Sequence, residues 1–129
     1  MKVYLVAGEP SGDKLGAELM AGLKSCAPYE LEFCGVGGPL MEEQGLTSLF
    51  PITEIAVMGI GEILAKYSFL KKRIKNTVDN ILRLKPDVLI TIDAPEFSLR
   101  VAKMVRKKLF INTIHYVAPT VWAWRPNRA

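Results

Sequence analysis

The chain has 129 residues, of which 50% are hydrophobic, 23% charged and 9% aromatic. These fractions are those of an average soluble globular domain, so they exclude an intrinsically disordered chain and allow one hydrophobic core. Two cysteines, Cys26 and Cys34, and one histidine, His115, are too few for a disulfide scaffold or a structural zinc site. A reducing, cytosolic setting is therefore expected.

The apolar stretches are too short for export or for crossing a membrane. The first of them, residues 3–7, is shorter than the roughly 7 to 15 residues of a signal-peptide core. Residues 55–61 form the longest uninterrupted stretch of apolar residues and glycine, far below the roughly 20 residues of a spanning helix. No transmembrane segment and no signal peptide are predicted.

The net charge of +4 is distributed unevenly. Residues 1–65 carry 3 basic and 9 acidic side chains, a net charge of −6, whereas residues 66–129 carry 14 basic and 4 acidic side chains, a net charge of +10. The second half is therefore expected to attract anions. Charge alone leaves nucleic acid, anionic lipid and phosphorylated metabolites as candidate partners.

The hydrophobic pattern predicts strands that alternate with helices. Runs of β-branched, aromatic and other apolar residues predict strands at 2–7, 29–34, 47–50, 87–92 and 110–117. Apolar residues that recur every three or four positions predict helices at 14–26, 40–44, 60–85 and 97–108. This alternation is typical of βαβ units, so we expect an α/β, Rossmann-like parallel sheet with helices on both faces.

Ligands of open α/β sheets bind beyond the carboxyl ends of the strands, so the loops that follow the predicted strands are candidate sites. In the first loop, GEPSGD, glycines flank Pro10 and Ser11 ahead of a helix. Backbone N–H groups and the positive end of that helix are suited to a phosphate or a sugar. The alternative is a plain turn in which Ser11 or Asp13 caps the helix. Neither this cluster nor the second one, GVGG, matches a dinucleotide fingerprint or a P-loop.

Asp93 directly follows the apolar strand DVLITI and precedes Ala94 and Pro95. A carboxylate at a strand tip is partly desolvated, which raises its pKa toward neutrality and suits a general base that acts on a hydroxyl. In the alternative interpretation, Asp93 caps the next helix or forms a hydrogen bond within its turn.

The last strand leads into an aromatic segment, HYVAPTVWAW. Its tryptophans, Trp122 and Trp124, offer faces for a sugar or an acyl chain, or they fill a domain interface. His115 is interpreted as a hydrogen-bonded core histidine in preference to a ligand or a base, because it stands alone in an apolar strand.

Residues 57–75 join an apolar face to a basic run that contains Lys66, Lys71, Lys72, Arg73 and Lys75. This combination is typical of a surface helix that lies on an anionic bilayer. The alternative is an ordinary amphipathic helix whose charged face is solvated.

Five ordered segments along the chain resemble the lipid-A-disaccharide synthase family. They are AGEPSGDKLGAEL at 7–19, FCGVGGPLMEEQG at 33–45, EIAVMGIGEIL at 54–64, KPDVLITIDAPEFSL at 85–99 and HYVAPTVWAW at 115–124. The resemblance implies the amino-terminal, acceptor-side lobe of a two-lobed GT-B glycosyltransferase. It also implies that the donor lobe is absent from this chain.

The resemblance further implies a reaction. UDP-2,3-diacylglucosamine would glycosylate 2,3-diacylglucosamine 1-phosphate, giving a β-1,6 linked disaccharide and UDP, without a metal or other cofactor and without a nucleic-acid partner. The enzyme would lie on the cytoplasmic face of the inner membrane. Asp93 matches the base that deprotonates the acceptor 6-hydroxyl.

Two further groups of residues are candidates on this basis. Substrate contacts are expected at Gly8, Ser11, Gly12, Asp13, Gly37, Pro95 and Trp122. Membrane or acyl-chain contacts are expected at Val57, Met58, Ile60, Ile63 and Leu64.

The chain departs from the expected family pattern at Pro10, Glu96, Ser98, Ala118 and Thr120. These departures bear on polar contacts around the acceptor more than on the chemistry. Two other functions remain open, a nucleotide-binding flavodoxin-like module without sugar transfer and an interaction fragment without a ligand. Lipid dependence distinguishes the transferase from both.

Overall fold

The computed structural model describes residues 1–8, 10–27, 30–51, 63–92 and 95–116. In these ranges strands β1 to β5 are Lys2–Ala7, Glu32–Val36, Thr47–Ser48, Val88–Ile92 and Asn112–Tyr116. Helices α1 to α4 are Pro10–Cys26, Pro39–Glu43, Ile63–Leu84 and Pro95–Arg106. The predicted alternation of strands and helices is confirmed.

The strands form one sheet in the order β3-β2-β1-β4-β5, in which every neighbouring pair is parallel. Val3 of β1 aligns with Phe33 of β2 on one side and with Val88 of β4 on the other. All residues of β4 are buried, as its continuous apolar run predicts. From β1 the chain adds β2 and β3 on one side of the sheet and then β4 and β5 on the other, so the connections change side between β1 and β4. Rossmann-like folds form their ligand crevice at such a point.

Helices cover both faces of the sheet, as predicted. Because successive side chains of a strand alternate between faces, Tyr4 and Val6 belong to one core and Val3 and Leu5 to the other. The first core is completed by α3 and α4, and the second by α1 and α2. No helix in the described ranges has an apolar stretch long enough to cross a bilayer.

Helix α1 begins at Pro10, four residues before the predicted start. Proline is well suited to a first helical turn, since its fixed φ matches the helix and its missing N–H would have no intrahelical acceptor there. Ser11 and Asp13 therefore lie inside the first turn. The interpretation in which one of them caps α1 from outside is wrong.

Strand β2 is shifted toward the carboxyl terminus relative to the prediction, which places Gly35 inside it. Gly35 has φ +135°, and a Cβ there would collide with the carbonyl oxygen of Leu5 on β1. Glycine is required at this position because a side chain would separate the two strands.

His115 lies on β5, where it is exposed, so the prediction of a core histidine is wrong about its burial. Among the described strands β5 is at the edge of the sheet, with β4 as its neighbour. The predicted hydrogen bond is confirmed, because His115 Nδ1 lies 2.7 Å from Thr91 Oγ1 on β4.

Tyr4 joins the central strand to α3 through a buried hydrogen bond. The side chain is fully buried, and its hydroxyl donates to Asn80 Oδ1 at 2.6 Å. Burial raises the pKa of Tyr4 far above its ordinary value, since a phenolate would lose its hydration. Burial therefore favours the neutral hydroxyl, which is the form that donates to Asn80.

Tyr4→Phe is expected to lower the free energy of unfolding by about 1–3 kcal/mol, because the Asn80 oxygen loses its donor in the core. Tyr116→Phe is the matched control, since this tyrosine is 39% exposed. Its effect should stay within about 0.5 kcal/mol. Equilibrium urea unfolding measures both variants, and equal effects would contradict the importance of the Tyr4 hydrogen bond.

Candidate functional site

The carboxyl edge of the sheet gathers several of the predicted site residues. Strand β1 ends at Ala7 and leads through Gly8 to α1, and β2 ends at Val36 and leads through Gly37 to α2. Strand β4 ends at Ile92, and Pro95 begins α4. Because the strands are parallel, all three connections start at the same edge.

The first turn of α1 packs directly on the ends of β1 and β4. A Cβ on Gly12 would lie 3.3 Å from Ala7 Cβ and 3.5 Å from the Ile92 carbonyl oxygen, so a larger residue would push the helix away. The first N–H groups of a helix have no intrahelical acceptor, and the helix dipole is positive there. With Ser11 exposed beside them, these groups can bind an anionic or hydroxyl-rich ligand.

Asp13 is buried, at 4% exposure, and its carboxylate accepts three backbone hydrogen bonds from the start of α2. Oδ1 accepts from Gly38 N at 3.0 Å and Met41 N at 2.9 Å, and Oδ2 accepts from Leu40 N at 3.1 Å. Helix α2 receives no capping side chain from Gly38, its own N-cap residue. Asp13 therefore caps α2 from α1 and ties the two helices together.

Packing accounts for both glycines between β2 and α2. A Cβ on Gly37 would lie 2.5 Å from the Met41 sulfur, and one on Gly38 would lie 2.5 Å from Asp13 Oδ2. Gly37 N–H donates to Ser48 Oγ at 3.0 Å, just as Gly38 N–H donates to Asp13. Both N–H groups are therefore engaged within the protein and are unavailable to a bound phosphate.

The start of α4 brings a buried hydroxyl toward the same end of the fold. Ser98 is 0% exposed, and its Oγ has no hydrogen-bond partner among the described residues. The sequence marks Ser98 only as a departure from the family pattern, because no local pattern shows that its hydroxyl is buried.

Other candidates fall outside the described residues: Asp93, Trp122, Val57, Met58 and Ile60. Ile63 and Leu64 lie in the first turn of α3. Within the part of the chain that the structure describes, no three His, Cys, Asp or Glu side chains are grouped so as to hold a metal ion.

Comparison with known proteins decides the family. The sequence profile described as lipid-A-disaccharide synthetase matches residues 3–129. The chain belongs to the lipid-A-disaccharide synthetase family.

Curated relatives agree with this assignment. The chain is 57% identical, over its whole length, to the lipid-A-disaccharide synthase of Ruegeria pomeroyi, and covers 32% of that relative. It is 50% identical over 128 residues to that of Rhodospirillum centenum, with 98% of the chain and 32% of the relative covered. Over 126 residues it is 48% identical to that of Granulibacter bethesdensis, again with 98% and 32% covered. The chain spans about a third of the length of these relatives.

Proposed function

We propose that these 129 residues form the acceptor-side lobe of a lipid A disaccharide-forming glycosyltransferase. "The complete enzyme" denotes here a protein of the relatives' length that carries this lobe. It transfers 2,3-diacylglucosamine from UDP to the 6-hydroxyl of 2,3-diacylglucosamine 1-phosphate, and UDP leaves. The family match over residues 3–129 is the observation that carries this proposal.

Asp93 is the proposed base of the reaction. It directly follows Ile92, the last residue of β4 and a fully buried one. As the acceptor oxygen attacks the anomeric carbon and the bond to UDP breaks, the 6-hydroxyl proton passes to the Asp93 carboxylate. Attack on the face opposite UDP inverts the anomeric configuration, and the reaction needs no metal ion.

The first turn of α1 is the proposed contact for the polar part of the acceptor. Its first N–H groups, which have no intrahelical acceptor, and the exposed Ser11 hydroxyl suit phosphate or sugar oxygens. Gly8 and Gly12 leave room for the ligand to approach the backbone closely. Gly37 and Asp13 act on the site indirectly, because they hold the start of α2 in place. Contacts from Pro95 and Trp122 remain predictions.

The described loops favour the transferase lobe over the nucleotide-binding alternative. A flavodoxin-like nucleotide site would use backbone N–H groups of the glycine-rich loops. In the second loop, Gly37 and Gly38 donate to Ser48 and Asp13 instead. The second of the two glycine-rich loops therefore offers these N–H groups to the protein and not to a free nucleotide.

The acceptor is a lipid, so we propose that the complete enzyme acts at the cytoplasmic face of the inner membrane. Membrane or acyl-chain contacts at Val57, Met58, Ile60, Ile63 and Leu64 remain predictions.

Residues 1–129 by themselves are expected to release no UDP above background when both lipid substrates are supplied. Transfer requires both substrates in reacting geometry, and the proposed donor lobe lies outside residues 1–129. A UDP-release assay with the complete enzyme as positive control tests this prediction. Turnover by the 129-residue chain would show that it holds the donor as well, contrary to the division proposed here.

A further inference from the structure

The hydroxyl of Ser98, at the start of α4, is fully buried and has no acceptor in the described part of the chain. Buried hydroxyls in native proteins nearly always have a hydrogen-bond partner, because an unpaired one loses its hydration without compensation. Thr77 on α3 shows a common solution, since its equally buried Oγ1 donates to the Arg73 carbonyl oxygen at 2.8 Å, one helical turn back. The Ser98 hydroxyl therefore points to an acceptor outside the described residues.

The described surroundings of Ser98 are apolar or already engaged. Val101 and Ala102, which share its face of α4, are buried and offer no side-chain acceptor. On β4, against which α4 packs, Thr91 Oγ1 lies 2.7 Å from His115 Nδ1. An apolar environment also strengthens a hydrogen bond to a charged acceptor. The remaining direction for the hydroxyl is toward the start of the helix.

Helix geometry directs the Ser98 side chain toward the connection that precedes α4. Side chains of an α-helix tilt toward its amino terminus, so Ser98 faces the turn that begins at Pro95. Ser98 is the fourth residue of the helix, and Asp93 is the second residue before it. Side chains at these two positions meet across the first turn in the hydrophobic staple, where both are apolar. In this chain the two positions hold a hydroxyl donor and a carboxylate acceptor.

We propose that Ser98 Oγ donates a hydrogen bond to the Asp93 carboxylate and thereby positions the base of the transfer reaction. The inference rests on the proposed function, in which Asp93 takes the proton of the acceptor 6-hydroxyl. One carboxylate oxygen accepts from Ser98, and the other is available for that proton. Ser98 transfers no proton itself, so it is a positioning residue. A donor to the charged form also keeps the carboxylate ionised against the desolvation of the strand tip.

Titratable side chains on the neighbouring helices and strand have partners of their own. Asp13 on α1 accepts three backbone N–H groups of α2. The Arg73 guanidinium on α3 lies over the ring of Phe50, 4.8 Å from its centroid, and His115 on β5 makes a hydrogen bond with β4. These groups are the same in the wild type and in a Ser98 variant. A difference between the two proteins therefore reports the Ser98 hydroxyl.

Carbon-13 NMR of the complete enzyme, labelled at the aspartate carboxyl carbons, tests the contact without substrate. The Asp93 signal is the one that Asp93→Asn removes, and its pH titration gives the pKa of this carboxyl group. Ser98→Ala is expected to raise that pKa by about one pH unit, because the ionised form loses a donor. An unchanged pKa would overturn the proposal and leave the Ala94 carbonyl oxygen, four residues back, as the acceptor of Ser98.

The pH dependence of kcat shows whether the contact serves catalysis. In Ser98→Ala the acid limb of the profile should move to higher pH by the same amount, so that kcat on this limb falls about tenfold. KM and the melting temperature should stay near those of the wild type. An Asp93 pKa that rises while the acid limb stays in place would overturn the positioning role. If Asp93→Asn keeps near-normal kcat, the proposed base is wrong, whereas the NMR titration still decides on the contact.

Thr77→Val is the matched control, because it removes another fully buried hydroxyl from the same layer of helices. The Thr77 hydroxyl donates to the Arg73 carbonyl oxygen within α3, so its loss should leave the Asp93 pKa and the acid limb as in the wild type. Equal shifts for Thr77→Val and Ser98→Ala would show that the loss of any buried hydroxyl perturbs the site. That result would overturn the specific contact between Ser98 and Asp93.

Discussion

In the complete enzyme, Asp93→Asn is expected to lower kcat roughly 10²- to 10⁴-fold, the usual cost of losing a general base. The amide keeps the shape of the carboxylate and most of its hydrogen bonding, but it cannot accept the proton of the 6-hydroxyl. Acceptor binding should persist, so KM should change far less than kcat. The melting temperature should stay near that of the wild type.

Asp87→Asn provides a matched control at the other end of the same strand. Asp87 directly precedes β4, and its Oδ2 accepts a hydrogen bond from Lys2 N at 2.7 Å, which an Asn oxygen can also accept. Its kcat should be close to that of the wild type. If Asp93 only caps a helix, Asn is nearly as good a cap, and Asp93→Asn would leave kcat almost unchanged. Near-normal turnover of Asp93→Asn would therefore refute the base.

Asp13→Ala is expected to lower the free energy of unfolding by about 2–4 kcal/mol, because three hydrogen bonds to a buried carboxylate disappear together. Gly38, Leu40 and Met41 would each lose the acceptor of a backbone N–H group at the start of α2. Replacement of a capping acceptor by Ala is costly even at exposed helix ends. Urea unfolding of residues 1–129 measures the effect.

Two further variants isolate the role of the carboxylate. Asp13→Asn keeps an oxygen for Gly38 and Met41 but turns an NH₂ group toward the Leu40 N–H, so an intermediate loss is expected. Glu18→Ala removes an exposed carboxylate from the same helix and should change stability by less than about 0.5 kcal/mol. Asp13→Ala as stable as Glu18→Ala would show that the three contacts contribute little.

The order and type of the elements followed from local patterns in the sequence. The predicted strand at 2–7 coincides with β1, and the apolar run before Asp93 is β4 with every residue buried. A strand or helix that is buried on one or both faces has a particular spacing of apolar residues. This spacing is visible in the sequence without knowledge of the element that packs against it. Candidate positions at the carboxyl edge followed in the same way, because each lies in or just beyond the connection that follows a predicted strand.

Element ends and side-chain partners depended on residues distant in sequence. The sequence makes Asp13 a candidate cap for its own helix, yet its hydrogen-bond partners are 25 to 28 residues away. His115 was predicted to be buried because its strand is apolar, but β5 has a described neighbour only in β4. The partners of Asp13 and the exposure of His115 leave no periodic pattern in the sequence, because both are set when separate elements pack together.

A groove between α3 and α4, lined among others by Lys71, Lys75 and Lys103, shows the same division between sequence and structure. The lysines of α3 form a visible run in the sequence, whereas the basic residues Arg100, Lys103 and Arg106 are spaced along α4, an ordinary amphipathic helix. The sequence by itself determined the α/β alternation and the excess of positive charge in residues 66–129, because both depend on residue type and spacing. Only the tertiary structure decided that α3 and α4 join their cations in one groove while Arg73 turns away toward Phe50. The faces of α3 and α4 that meet are set by how both helices pack on the sheet, which the sequence of either helix alone does not show.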